Sequence, residues 1–122
     1  MLRQAIAVKR KALGDRDPEV AEDQVVLADM LADRGDFVVA ESLYRAALVI
    51  QRETLRVQNR FTPRTLLGLG RSLLARGDRE AAEQFLREAV AMLRAVRQFD
   101  TPRIAEAESA LARARAATGH PR

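Results

Sequence analysis

Between Phe37 and Leu55 the apolar residues Phe37, Ala40, Leu43, Tyr44, Ala47, Leu48, Ile50 and Leu55 recur mostly at spacings of three and four. That is the spacing of one face of an α-helix. No stretch alternates apolar and polar residues with period two, and β-branched residues are few, so strands are not expected. Three dipeptides, Asp17-Pro18, Thr62-Pro63 and Thr101-Pro102, mark helix starts. The Asp or Thr oxygen accepts an orphan backbone N–H, and proline fits the first helical position because its missing N–H had no partner there. Gly35 and Gly77 close apolar-periodic stretches, where a helix ends by turning left-handed, and Asp36 and Asp78 then cap the next helix. Gly14 and Gly119 end the first and last stretches. These signals predict six helices, over about 2–13, 18–33, 37–57, 63–75, 79–98 and 102–118.

The pattern repeats. A shift of 42 residues aligns Leu27–Ile50 with Leu69–Met92, and nine of those 24 positions are identical. Alanine and arginine matches are cheap in this composition, but the shared Gly35-Asp36/Gly77-Asp78 and Ala40-Glu41/Ala82-Glu83 pairs are not. The same shift aligns Arg3, Ala5, Arg10 and Leu13 with Arg45, Ala47, Arg52 and Leu55, and two shifts align Glu22, Leu27, Ala28 and Gly35 with Glu106, Leu111, Ala112 and Gly119. The chain divides into a half unit 1–14, units 17–57 and 62–98, a half unit 101–119 and a tail 120–122. This phase suggests a segment of a longer polypeptide. Ala28 and Gly70 on the first helices, and Ala40 and Ala82 on the second, are small where the helices of a hairpin approach closely. Leu27, Leu69, Leu111, Tyr44 and Leu86 fill the layer between hairpins. No unit buries its apolar face alone, so the units are expected to stack into a solenoid, as one domain over 1–119.

Composition narrows the chemistry. The 122 residues contain no cysteine, which excludes disulfides and zinc–thiolate sites. No window approaches the ~20 apolar residues of a membrane span, and the first residues lack the apolar centre of a secretory signal, so a soluble, cytoplasmic protein is expected. The net charge of +4 is unevenly distributed: residues 1–16 carry +4, residues 17–51 carry −6 and residues 52–122 carry +6. Arginine outnumbers lysine 19 to 2 beside 22 alanines, a coding bias before it is a nucleic-acid signature, and Tyr44 and the four Phe residues do not interleave with basic runs. Leu67-Gly68-Leu69-Gly70-Arg71-Ser72 lacks the strand, third glycine and Lys-Ser/Thr pair of a phosphate loop. The single histidine, His120, lies beyond the last helix, so Ser42, Ser72 and Ser109 have no base to activate them. Asp29 and Asp33 share a helix face, where solvated carboxylates or partners for neighbouring arginines are the plainer account. No enzyme activity, cofactor or metal is expected.

The residues Leu27-Ala28, Leu31, Gly35, Phe37, Ala40, Tyr44 and Ala47-Leu48 resemble the tetratricopeptide repeat (TPR) consensus. The usual unit has about 34 residues; the period of 42, the longer helices and the Asp-Pro entry resemble the variant found in kinesin light chain. In the second unit Pro63 lies 14 residues before Gly77, where Pro18 lies 17 before Gly35, so its first helix is expected to lack nearly a turn. Kinesin light chain repeats commonly carry asparagine in the cargo groove, where this chain has Val25, Val26, Leu67 and Gly68, so that cargo function does not carry over. Such repeats also occur in bacterial signalling proteins, and the Ala/Arg bias is consistent with a bacterial source.

The resemblance implies an all-α, right-handed α-solenoid of antiparallel helix hairpins. Its concave groove would be lined by the first helix of each hairpin: Glu22, Val25, Asp29 and Asp33, then Arg64, Leu67, Arg71 and Leu74, then Glu106, Ser109 and Arg113. An acidic unit beside a basic one suits an amphipathic peptide with charges at both ends. The expected function is a protein–protein interaction scaffold that holds a peptide or partner domain, within a larger signalling or regulatory protein. An alternative is self-association, a homo-oligomer formed by stacking of open solenoid ends through Leu2, Ile6, Leu13, Ile104 and Leu111. A third reading is nucleic-acid backbone binding through Arg52, Arg56, Arg60, Arg64, Arg94, Arg97 and Arg103.

Overall fold

A computed structural model describes residues 2–57, 59–95 and 101–118. Those residues form six α-helices and no strand: α1 (Leu2–Leu13), α2 (Pro18–Asp33), α3 (Phe37–Thr54), α4 (Phe61–Ala75), α5 (Arg79–Ala95) and α6 (Thr101–Thr118). The local signals act as the physics requires. Asp17 accepts from the Glu19 N–H at 2.9 Å, with Pro18 opening α2. Gly35 and Gly77 have φ of 85° and 88°, and behind them the N–H groups of Asp36 and Asp78 reach back to the carbonyls of Leu31 and Leu73, both at 2.9 Å. This left-handed closure satisfies carbonyls that the helix end would leave unbonded. Asp36 and Asp78 then accept from the N–H groups of Val39 and Ala81.

Helix α4 departs from expectation. Thr62 is not its cap: the helix starts at Phe61, and Asn59 Oδ1 accepts from the N–H groups of Phe61 and Thr62 at 2.9 and 2.8 Å. Pro63 therefore sits inside the first turn, where N–H groups have no intrahelical partner and its missing donor costs nothing. With 15 residues against the 16 of α2, α4 does not lack a turn. Thr101 likewise opens α6 rather than preceding it. Helix α3 stops at Thr54, and the Leu55 backbone is already extended. The expected end of α5 near residue 98, Gly119 as a helix stop, Arg97 and the tail with His120 lie outside the described residues.

Helices α2/α3 and α4/α5 form antiparallel hairpins, α1 packs on α2, and α6 packs on α5. The inner helices α2, α4 and α6 also touch in succession, whereas the backbones of α1, α3 and α5 do not approach one another. The array therefore curves with the inner helices on its tighter side. One core runs its length, from Ile6 to Ala114. Ala28, Ala40, Ala82 and Leu86 are fully buried, and a Cβ placed on Gly70 would lie 2.5 Å from Leu86 Cγ. The Gly68-Gly70 pair thus serves packing. The ion pairs Arg16–Glu53, Arg52–Glu88 and Arg76–Glu41 tie segments distant in the sequence: Arg52–Glu88 joins α3 to α5, and Arg16 and Arg76 reach α3 from the turns after α1 and α4.

Candidate functional site

The tighter side carries a trough made of three connected hollows. The central one, about 420 Å³, is lined from α2 by Asp29, Ala32 and Asp33, from α4 by Arg64, Leu67, Gly68, Arg71 and Ser72, and from α6 by Arg103 and Glu106. Phe37 and Tyr44 of α3 complete it. A hollow of about 250 Å³ adjoins it through Arg64 and is lined by Glu22, Asp23, Val25, Val26, Gln51, Phe61 and Thr65. Beyond Arg71 and Phe37 lies a shallower one, bordered by Leu74, Ala75, Arg79 and Arg113. Of the residues expected in the groove, Asp29, Asp33, Arg64, Leu67, Arg71 and Glu106 meet in the central hollow, Glu22 and Val25 lie at one end, and Leu74 and Arg113 at the other. Ser109 is exposed and borders none of these hollows.

The opposite charges of successive units pair with each other. Arg64 bonds Asp29 at 2.6 Å and Arg71 bonds Glu106 at 2.5 Å. These pairs neutralise much of the charge contrast that the sequence offers to a partner. Asp33 and Glu22 enter no ion pair and no side-chain hydrogen bond among the described residues. Two buried polar side chains also line the trough without a partner: Ser72 Oγ, in a residue 1% exposed, and Gln51 Oε1, in a residue 2% exposed. A buried polar atom without a hydrogen bond costs about 1–3 kcal/mol.

Tyr44, read from the sequence as a core residue, is also the floor of the trough. It reaches past Gly68, where a Cβ would lie 2.5 Å from its ring, and its hydroxyl donates to Asp29. Burial, then the Asp29 carboxylate, pushes the Tyr44 hydroxyl well above its ordinary range, so it remains a donor. The sequence signal for this was a tyrosine on the second helix facing a glycine on the next unit's first helix. Ser72 and Arg103 carried no such signal.

The ends of the array differ from expectation. Ile6 and Leu111 are buried in the core, and Leu2 and Ile104 are half-buried against it, so only Leu13 of that set is exposed. Val8 is the other exposed large apolar residue of α1. Arg52, Arg64 and Arg94 are each held by a carboxylate, which leaves the proposed basic face discontinuous. Among the described residues no group of three potential metal ligands gathers, and no helix is long and apolar enough to cross a membrane.

A curved all-α array of hairpins with a trough on its inner helices is a helical-repeat scaffold. The tetratricopeptide repeat family model matches residues 24–95, and the chain belongs to that family. It is similar to a crystal structure from Podosopora anserina described as putative kinesin light chain nearly identical TPR-like repeats. The two are 27% identical, with a TM-score of 0.76 over 97% of this chain. This chain covers 56% of that one, just over half its length. No curated protein matches. Tetratricopeptide repeats are in general non-enzymatic scaffolds that bind proteins or peptides.

Proposed function

We propose that this chain holds a peptide segment of a partner protein in the trough along α2, α4 and α6. The observation that carries this reading is the trough itself: adjoining hollows along the inner helices, lined by apolar side chains between paired charges. For a peptide laid along it, Phe37, Leu67, Val25 and Phe61 supply apolar contact. Arg64 and Arg71, held by Asp29 and Glu106, are fixed walls rather than free grips.

The test is selection from a random library of hexapeptides with both ends blocked, using the whole chain as bait. The wild type should enrich a consensus. Ala32→Trp, which fills the central hollow from a half-buried position without removing a hydrogen bond, should lose it while keeping the same thermal transition. No consensus from the wild type, or an identical consensus from Ala32→Trp, would overturn the reading.

A further inference from the structure

Independently of that reading, we propose that copies of this chain stack head to tail, α6 of one copy against α1 and α2 of the next, with an ion pair between Arg113 and Glu22 at the junction. The 42-residue repeat places Asp29, Arg71 and Arg113 at one position of the three inner helices, and Glu22, Arg64 and Glu106 at another. Asp29 of α2 bonds Arg64 of α4, and Arg71 of α4 bonds Glu106 of α6. Each step along the array thus joins the first position on one inner helix to the second position on the next. Arg113 and Glu22 are the two ends of this ladder. Among the described residues they enter no ion pair and no side-chain hydrogen bond. Their charges are opposite, so a second copy supplies each with the partner it lacks, at the place where the ladder would take its next step.

The end helices are complementary in the same way. By the repeat alignment α1 is the second helix of a unit and α6 the first helix of one, so across two copies they complete a hairpin of the α2/α3 and α4/α5 kind. Positions buried in those hairpins stand open at the ends. Ala105 and Ala112 of α6 are exposed, whereas the equivalent Ala21 and Ala28 of α2 and Pro63 and Gly70 of α4 are buried. Val8 of α1 is 66% exposed, whereas the equivalent Ile50 of α3 is 6% exposed. Gly70 packs against Leu86, and the same step sets Ala112 against Leu2 of the second copy. Ala28 holds this place in the first hairpin, so alanine is admitted there. The remaining charges do not oppose the junction. Glu108 and Arg115 of α6 are held by Arg94 and Glu83. Arg3, Arg10 and Lys11 of α1 align with Arg45, Arg52 and Glu53, which are exposed on α3. Because Arg71 and Glu106 line the central hollow, Arg113 and Glu22 would line a hollow of the same kind and carry the trough from copy to copy.

A head-to-tail junction leaves an end free at every step, so assembly continues past the dimer, as an open stack or a larger ring. Light scattering of the whole chain from micromolar to millimolar concentration should show a mass that rises beyond the dimer. Glu22→Arg and Arg113→Glu each make the junction like-charged and should weaken association about tenfold. An equimolar mixture of the two variants restores opposite charges at every junction when the copies alternate, and should associate as the wild type does. Ala112→Trp, which fills the exposed face that receives α1, should remain a folded monomer. Glu22, Arg113 and Ala112 lie outside the core, so dilute samples of all three variants should keep the wild-type helical circular dichroism. A wild type that stays monomeric, or a mass that stops at the dimer, overturns the inference. So does a mixture that associates as weakly as its components, or an Ala112→Trp chain that associates as the wild type does.

Discussion

Replacing Gly70 by alanine tests the packing logic most sharply, because helix propensity and tertiary packing predict opposite signs. In a helix interior, glycine to alanine ordinarily stabilises by about 1 kcal/mol. Here the added Cβ would lie 2.5 Å from Leu86 Cγ and 2.6 Å from Leu86 Cδ2. Ordinary carbon contacts need about 3.5–4.0 Å, so the leucine must move by roughly 1 Å. The contact is at its branch point rather than a flexible tip, and Leu86 is fully buried. Overpacking of this kind costs about 1–3 kcal/mol, and the poor freedom to retreat puts this site near the upper end. Gly70→Ala should therefore lower stability by about 2 kcal/mol net of the propensity gain. For a chain of this size that is a fall in Tm of roughly 8 °C. Urea and thermal unfolding followed by helical circular dichroism would measure it. Leu86→Ala alone should cost about 2–5 kcal/mol, but in that background Gly70→Ala should become neutral or stabilising. A wild-type background in which Gly70→Ala raises Tm, or an equal effect in both backgrounds, would refute the reasoning.

Other outcomes follow from the same structure. Asn59→Ala should destabilise by about 1 kcal/mol through loss of the α4 cap, while Thr62→Val costs less, measured by urea unfolding. The Tyr44 hydroxyl has a pKa raised in the folded state above the ordinary tyrosine value of 10.0, by burial and then by Asp29. Its contribution is complete below that value and lost as pH rises beyond it, so Tm should fall above about pH 10 in the wild type and less steeply in Tyr44→Phe. At Glu41, burial raises the pKa, but hydrogen bonds from Arg45 and Arg76 outweigh it and hold the carboxyl below the ordinary glutamate value of 4.5. That contribution is present above 4.5 and lost as pH falls through the lower folded value, so Glu41→Gln should flatten the acid side of the stability profile. Gly35→Ala, at a φ of 85°, should cost about 1 kcal/mol in a thermal melt despite the open space around it.

Much of the array was legible because its determinants are local. Caps at Asp17, Asp36 and Asp78, stops at Gly14, Gly35 and Gly77, and apolar spacing along Phe37–Thr54 act within a turn or two, and a repeat of 42 residues copies them from unit to unit. The tetratricopeptide resemblance, which implies a concave groove lined by the first helix of each hairpin, is why Asp29, Asp33, Arg64, Leu67, Arg71 and Glu106 could be assigned to one trough in advance. The tertiary structure decided how neighbouring units offset against each other, and with that which distant side chains meet. Asp29 and Arg64 are 35 positions apart, as are Arg71 and Glu106, and only the stacking geometry pairs them and, among the described residues, leaves Asp33 and Glu22 without an ion pair. The same offset pushes Tyr44 past Gly68 into the trough floor and draws Ile6 and Leu111 into the core instead of leaving them at open ends. Periodicity fixes which residues share a face, but contact across units depends on distances of a few ångströms set by the packing of every side chain between them.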